Sequence, residues 1–225
     1  MTKVNRKALA SVLGVLVAMA ILLFLPAWTI DYWQAWVFLA VYGVCALAIT
    51  LYLMKRDPAL LERRLRGGPI AEKNPIQKII QSIIALGFVA MLVLPATDHR
   101  LHGTRVPTLV VVAGDILIAA GFFLLFLVLK ENTFASATIE IARDQHVIST
   151  GPYASVRHPM YVASFVWLVG MSLALGSWSG LLALLVMVPA LIWRILDEEK
   201  LLTKSLPGYR DYRETVRYRL LPHVW

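Results

Sequence analysis

Cysteine is nearly absent. Cys45 is the only one in the 225 residues, and it falls inside an apolar run, so an intrachain disulfide and any multi-cysteine metal site are excluded. Charge is scarce as well: Asp, Glu, Lys and Arg together make 16% of the chain, against 59% apolar residues and a mean hydropathy of +0.68. A soluble domain carries about a quarter of its residues charged, so this composition excludes an ordinary soluble fold. No Gly-x-Gly-x-x-Gly follows a strand pattern, which removes the Rossmann nucleotide site. Repeats and low-complexity tracts are missing too.

Long apolar stretches occupy 8–25, 33–54, 76–96, 106–129, 160–175 and 178–195. The first four each reach the ~18 residues needed to cross about 30 Å of hydrocarbon. The last two are shorter and meet at Gly176-Ser177-Trp178-Ser179-Gly180, which reads as a tight helical hairpin. The expected fold is therefore an all-α integral membrane protein of about six transmembrane helices, the last two a short hairpin. Residues 1–129 form a four-helix scaffold with an amphipathic loop at 55–75. Residues 130–225 hold the chemistry: a polar loop (130–158), the hairpin (159–196) and a C-terminal tail (197–225).

The formal charge of +8 reports topology rather than a nucleic-acid groove. Lys3, Arg6 and Lys7 precede the first span. Lys55, Arg56, Arg63, Arg64, Arg66, Lys73 and Lys78 follow the second, and Lys130, Arg143 and Arg157 follow the fourth. Arg194, Lys200, Lys204, Arg210, Arg213, Arg217 and Arg219 close the chain, whereas Arg100 and Arg105 fall on the opposite side. With six spans this bias puts both termini in the cytoplasm, with a bacterial inner membrane as the expected location. Membrane lipids are then the partners of the basic surface, and no nucleic acid is expected. Phe24-Leu25-Pro26-Ala27-Trp28 offers no small-x-small cleavage site, so the first helix is read as retained.

Leu60, Leu61 and Leu65 line one side of a short charged stretch, which reads as an interfacial helix or as a lid over a site. Asp115, deep in the fourth apolar run, reads either as a functional intramembrane carboxyl or as a neutral group hydrogen-bonded to a neighbouring helix. His99 and His102 lack further ligands beyond Asp98, and no metal is expected.

The polar loop is longer than connections usually are unless they carry function. It ends in Gly151-Pro152-Tyr153-Ala154-Ser155-Val156-Arg157-His158-Pro159-Met160-Tyr161. Pro159 suits the first turn of a helix, which places Arg157 and His158 at a helix start by the membrane surface. The last apolar run exits through Arg194 and then Asp197-Glu198-Glu199, three consecutive carboxylates. Arg194 and Glu198 have the i,i+4 spacing of a surface salt bridge; Arg194 is equally placed to orient a substrate carboxylate. The tail, Pro207-Gly208-Tyr209-Arg210-Asp211-Tyr212 onward, alternates aromatics and cations.

Taken together, Gly-x-Tyr-x-x-x-Arg-His-Pro-x-Tyr, an apolar hairpin, Glu-Glu, Gly-Tyr-x-x-Tyr and a closing Arg-Tyr-Arg-Leu-x-Pro resemble the isoprenylcysteine carboxyl methyltransferases and their bacterial relatives, over about 131–225. The related phospholipid N-methyltransferases share this kind of region. The loop departs from the pattern: Gln145 stands where eukaryotic members have His, with His146 displaced by one, and Ala163 stands where Gly is common. The resemblance implies S-adenosyl-L-methionine as cofactor. It implies a pocket built from Val147 and Ile148, Gly151, Tyr153, Arg157, His158, Pro159 and Tyr161, closed by Glu198, Glu199, Tyr209 and Tyr212. Arg194 and Glu198 are the catalytic candidates. The implied substrate is lipophilic, small or prenylated, and enters from the bilayer.

A carboxylate acceptor is already ionised at neutral pH and needs no general base, so carboxyl methylation is the simplest chemistry. N-methylation of a phospholipid ethanolamine and methylation of a thiol are the alternatives. Sterol reductases carry a similar Arg-His-Pro-x-Tyr, but Asp197-Glu198-Glu199 would repel the phosphates of their nicotinamide cofactor. A non-catalytic membrane adaptor would tolerate loss of Arg157, His158 and Glu199.

Overall fold

A computed structural model describes residues 2–72, 74–103, 105–141 and 144–225. Lys73 and Arg143 of the basic set lie outside these residues. Among these described residues eight α-helices follow in order: α1 (Lys3–Ala27), α2 (Trp33–Arg56), α3 (Pro58–Arg64), α4 (Pro75–Arg100), α5 (Thr108–Glu131), α6 (Pro159–Ala174), α7 (Gly180–Ser205) and α8 (Tyr209–Thr215). Single 3-10 turns occur at Pro69–Ala71 and Gly151–Ala154, and no strand is present among the described residues. Five helices (α1, α2, α4, α5 and α7) are long and apolar enough to cross a membrane, so the chain is an all-α, multi-pass membrane protein.

The fifth apolar segment, α6, has 16 residues, or about 24 Å at 1.5 Å per residue. Only this arm of the hairpin is short. Its partner α7 runs for 26 residues, well past the end of the apolar run, because Leu, Glu and Lys sustain a helix where hydropathy no longer marks it. Asp197, Glu198 and Glu199 thus ride on a helix rather than beginning a loose tail. The turn between the arms passes through Gly176 at φ +71°, a left-handed conformation that favours glycine. The Tyr32 hydroxyl donates to the Leu175 carbonyl at 2.6 Å and ties this turn to α2.

Packing is closest between α5 and α6, where small residues let two backbones approach. A Cβ on Gly121 would come within 2.8 Å of the Trp167 nitrogen, and one on Gly170 within 2.7 Å of the Gly114 carbonyl oxygen. Asp115 is buried in the same region. Around this pair a core of Leu23, Phe38, Met91, Ile118, Met171 and Met187 fills the middle of the bundle.

At the basic end, α3 is capped by Asp57, whose Oδ1 accepts from the Leu60 nitrogen at 2.8 Å, with Pro58 at its first turn. Leu60 and Leu61 are buried against Ala8, Leu53, Leu129 and Ala135. The amphipathic stretch therefore folds under the bundle instead of resting on lipid alone. A separate small core of Val128, Tyr153, Leu206, Tyr209, Tyr212 and Val216 joins the polar loop to the tail.

Candidate functional site

Where α6 begins, the chain turns out of the 3-10 helix at Gly151–Ala154 and meets the tail. The backbone nitrogens of Arg157 and His158 donate to the carbonyls of Tyr218 (2.9 Å) and Arg219 (3.0 Å). The Arg157 guanidinium donates to Glu199 Oε1 at 2.6 Å and to the carbonyls of Val216 and Arg217 at 2.8 Å each. Glu199 Oε2 accepts from Arg219 at 2.8 Å, and His158 Nε2 lies 3.3 Å from Glu199 Oε1. Arg157 and Glu199 are both buried. A buried ion pair is tolerable only when its lone pairs and protons find partners, and here both carboxylate oxygens are taken. This cluster straps the tail across the starts of α6 and the end of α7.

Above the strap opens a pocket. Of the residues anticipated for a cofactor, Val147, Ile148, Tyr153, Arg157, His158, Tyr161, Glu198, Tyr209 and Tyr212 line it. Gly151, Pro159 and Glu199 do not. Gly151 has φ +57° beside the Glu131 carboxyl, Pro159 starts α6, and Glu199 sits behind the wall in the strap. The structure adds Asn132, Phe134, Ser136 and His146 from the polar loop, and Met160 and Leu202 from the helices. That loop has no hydrophobic period, so only its unusual length and the Gln145–His146 departure pointed toward it.

The tyrosines are held by specific bonds. Asn132 Nδ2 donates to the Tyr153 hydroxyl at 2.8 Å, and the Tyr212 hydroxyl donates to the Tyr153 carbonyl at 2.7 Å. Burial pushes the Tyr153 phenol up to about 12, against the pull of the Asn132 bond. It raises Tyr209 and Tyr212 as well, with the Glu199 charge adding to the shift at Tyr209 and Tyr153 adding to it at Tyr212. All three therefore present neutral hydroxyls and ring faces near pH 7. The buried Tyr209 hydroxyl has no partner among the described residues.

A second cavity, of about 630 Å³, lies within the bundle. Its walls are mainly apolar, from Val12, Tyr42, Ile49, Phe88, Phe122, Trp167 and Met187, and its basic end carries Arg64, Gln81 and Arg194. Ser136, Met160 and Tyr161 line both spaces. The Tyr161 hydroxyl donates to Glu198 Oε2 at 2.8 Å and accepts from Arg194 Nε at 3.1 Å.

Arg194 meets Glu72 rather than Glu198. Its Nη2 is 2.8 Å from Glu72 Oε1 and 3.2 Å from the Ala137 carbonyl, and its Nη1 donates to Gln77 Oε1 at 2.8 Å. Gln77 Nε2 in turn donates to Asp197 at 2.5 Å. The loop ahead of α4 and the end of α7 are thereby fastened through Arg194. Glu72 lies 122 positions earlier in the chain, beyond the reach of any local spacing rule.

Residues 109–207 match the phospholipid methyltransferase family, a span from the start of α5 to the end of α7. The chain is also similar to two curated proteins over part of their lengths. A protein-S-isoprenylcysteine O-methyltransferase of Schizosaccharomyces pombe is 38% identical over 76 residues, 33% of this chain and 32% of that protein. A nickel-cobalt-cadmium resistance protein of Alcaligenes xylosoxydans xylosoxydans is 36% identical over 72 residues, 31% of this chain and 33% of that protein. The chain thus spans about a third of the length of the curated relatives it matches. The relation to isoprenylcysteine and phospholipid methyltransferases expected from the motifs is present. The matched segment holds Tyr153, Arg157, His158, Tyr161 and Glu198, whereas α3, Glu72 and residues 208–225 lie outside it.

Proposed function

We propose that this chain is an integral-membrane methyltransferase. It takes its methyl group from S-adenosylmethionine and delivers it to the carboxylate of a lipophilic acceptor of the S-isoprenylcysteine type. The observation that carries this reading is the pair of spaces meeting at Met160 and Tyr161. One is polar and aromatic and opens at the basic end; the other is apolar and lies within the bundle. A reaction that joins a water-soluble donor to a membrane-dissolved acceptor requires this arrangement. The basic end is then the cytoplasmic face, as the charge distribution implies.

The residues of the polar pocket fit the cofactor. Glu198 presents a carboxylate for an amino group, His158 a ring nitrogen for a carboxylate, and the tyrosines ring faces for a sulfonium and an adenine. The unpartnered Tyr209 hydroxyl adds a buried donor that a ligand would satisfy. Glu199, fully engaged with Arg157, His158 and Arg219, braces the pocket instead of contacting a ligand. When bound, S-adenosylmethionine supplies an electrophilic methyl group and leaves as a neutral thioether. Tyr161, held between Glu198 and Arg194, fixes the wall where the acceptor oxygen must arrive. Positioning of the two reactants at that junction, with desolvation once both are bound, accelerates such a displacement.

N-methylation of a phosphoethanolamine headgroup is the second reading, favoured by Glu198 at the junction as a base and by the phospholipid methyltransferase match. The two are separated by incubating the purified protein in lipid nanodiscs with methyl-labelled cofactor and three acceptors. These are N-acetyl-S-farnesylcysteine, phosphatidylethanolamine and a long-chain thiol. Label in a base-labile methyl ester supports the proposal; label only in the methylated amine or thioether overturns it.

A further inference from the structure

Three arginines approach the junction of the two cavities; Arg157 and Arg194 are buried and have a carboxylate, and Arg64 is half-buried. Arg157 is paired with Glu199 and Arg194 with Glu72. Arg64, at the end of α3, has none: among the described residues no acid lies within ion-pair distance of it. Its Nη1 is 3.3 Å from the Met160 sulfur and 3.5 Å from the Ser136 carbonyl oxygen. Both neighbours are uncharged and weak as acceptors at these distances. They are also two of the three residues that line both cavities.

Arg64 itself lines the bundle cavity. Its position is fixed from below, because Leu60 and Leu61 on the preceding turn are buried in the bundle. Loss of water around the half-buried guanidinium lowers its pKa, the direction expected of a cation set among uncharged neighbours. An arginine so placed at the head of an apolar cavity offers a fork of donors to an anion carried on a lipophilic tail. Arg194 is less available for that task, since Glu72 neutralises it and Gln77, Tyr161 and Ala137 occupy its other donors.

We infer that Arg64 binds the acceptor's carboxylate at the junction of the two cavities and selects acid-headed lipophilic acceptors over neutral ones. The inference rests on the methyltransferase reading but concerns a residue outside the segment that matches the family. The scaffold half of the chain then does more than hold the bundle together: its short amphipathic helix reads the acceptor's head. The polar face of α3 serves the site while its apolar face anchors it.

The test compares two probes that differ only in the head, N-acetyl-S-farnesylcysteine and its carboxamide, titrated calorimetrically into the full-length protein in micelles. A charge-assisted hydrogen bond contributes about 1.5–3 kcal/mol, so wild type should prefer the acid by about tenfold or more. Arg64→Gln should reduce that preference to about twofold or less while leaving S-adenosylhomocysteine affinity unchanged, and Arg64→Lys should restore part of it. Equal affinity of wild type for acid and amide overturns the inference, as does a preference that survives Arg64→Gln. A third arm uses short-chain phosphatidylethanolamine. Tighter binding of that lipid than of the acid, lost in Arg64→Gln, would assign the anion as phosphate and overturn the carboxylate claim. Absence of S-adenosylhomocysteine binding by wild type would instead bring down the methyltransferase reading, so the two failures are distinguishable.

Discussion

Glu199 is 4% exposed and accepts from three side chains drawn from two separate segments. Removing one partner of such a buried pair costs about 3–5 kcal/mol, because the other charges remain in place without compensation. Glu199→Ala should therefore lower the thermal midpoint by several degrees and weaken S-adenosylhomocysteine binding by more than about tenfold, though Glu199 does not line the pocket. A variant that keeps wild-type stability would refute the bracing role. The tyrosines give a pH signature. The phenols of Tyr153, Tyr209 and Tyr212 are raised by burial, whereas the unfolded chain releases such protons near pH 10. Their contribution to stability is thus complete below pH 10 and is lost as pH rises through the folded-state value of about 12 for Tyr153. Thermal midpoints recorded from pH 8 to 11.5 should stay level to about pH 10 and fall above it; a decline beginning below pH 9 would contradict the buried phenols. At this scale the motif residues were legible, since Arg157, His158 and Tyr161 stand in one short segment. The partners of Arg194 were not. An i,i+4 spacing favoured Glu198, while the observed Glu72 depends on how α4 packs against α7.

The glycines of α5 and α6 decide how near the two helices come. Gly121 and Gly170 leave room for opposing backbone and no more. Gly170→Leu should separate the helices and cost roughly 1–3 kcal/mol or more, seen as a lower unfolding temperature and a faster loss of binding on heating. Substitution at Gly14, which faces open space, should leave both unchanged and serves as the control. Hydropathy located the helices well but misjudged one boundary. It ended the last helix where apolar residues stop, although backbone hydrogen bonding carries α7 through Ser205. The polar loop was the hardest element to read. Phe134, Ser136 and His146 reach the pocket without any period to announce them, because an irregular backbone sets the direction of each side chain separately.

For the molecule as a whole, the charge distribution predicts a sixth crossing by the short α6, beside the five helices long enough to span. Single cysteines introduced near the two ends of the chain, in a Cys45→Ser background, should both resist a membrane-impermeant thiol reagent in intact spheroplasts and react after lysis. Labelling of one end in intact cells would show that α6 does not cross. The strap described at Glu199 also orders events in time. Its closing bonds come from residues 216–219, which the ribosome delivers only after α1 to α7. Helices of the scaffold can insert and pack as they emerge, yet Arg157, His158 and Glu199 lack their bracing partners until those residues arrive. A nascent chain stalled before residue 216 should be fully inserted and still unable to hold a cofactor, which makes acquisition of the ligand a late maturation step, separated from membrane insertion.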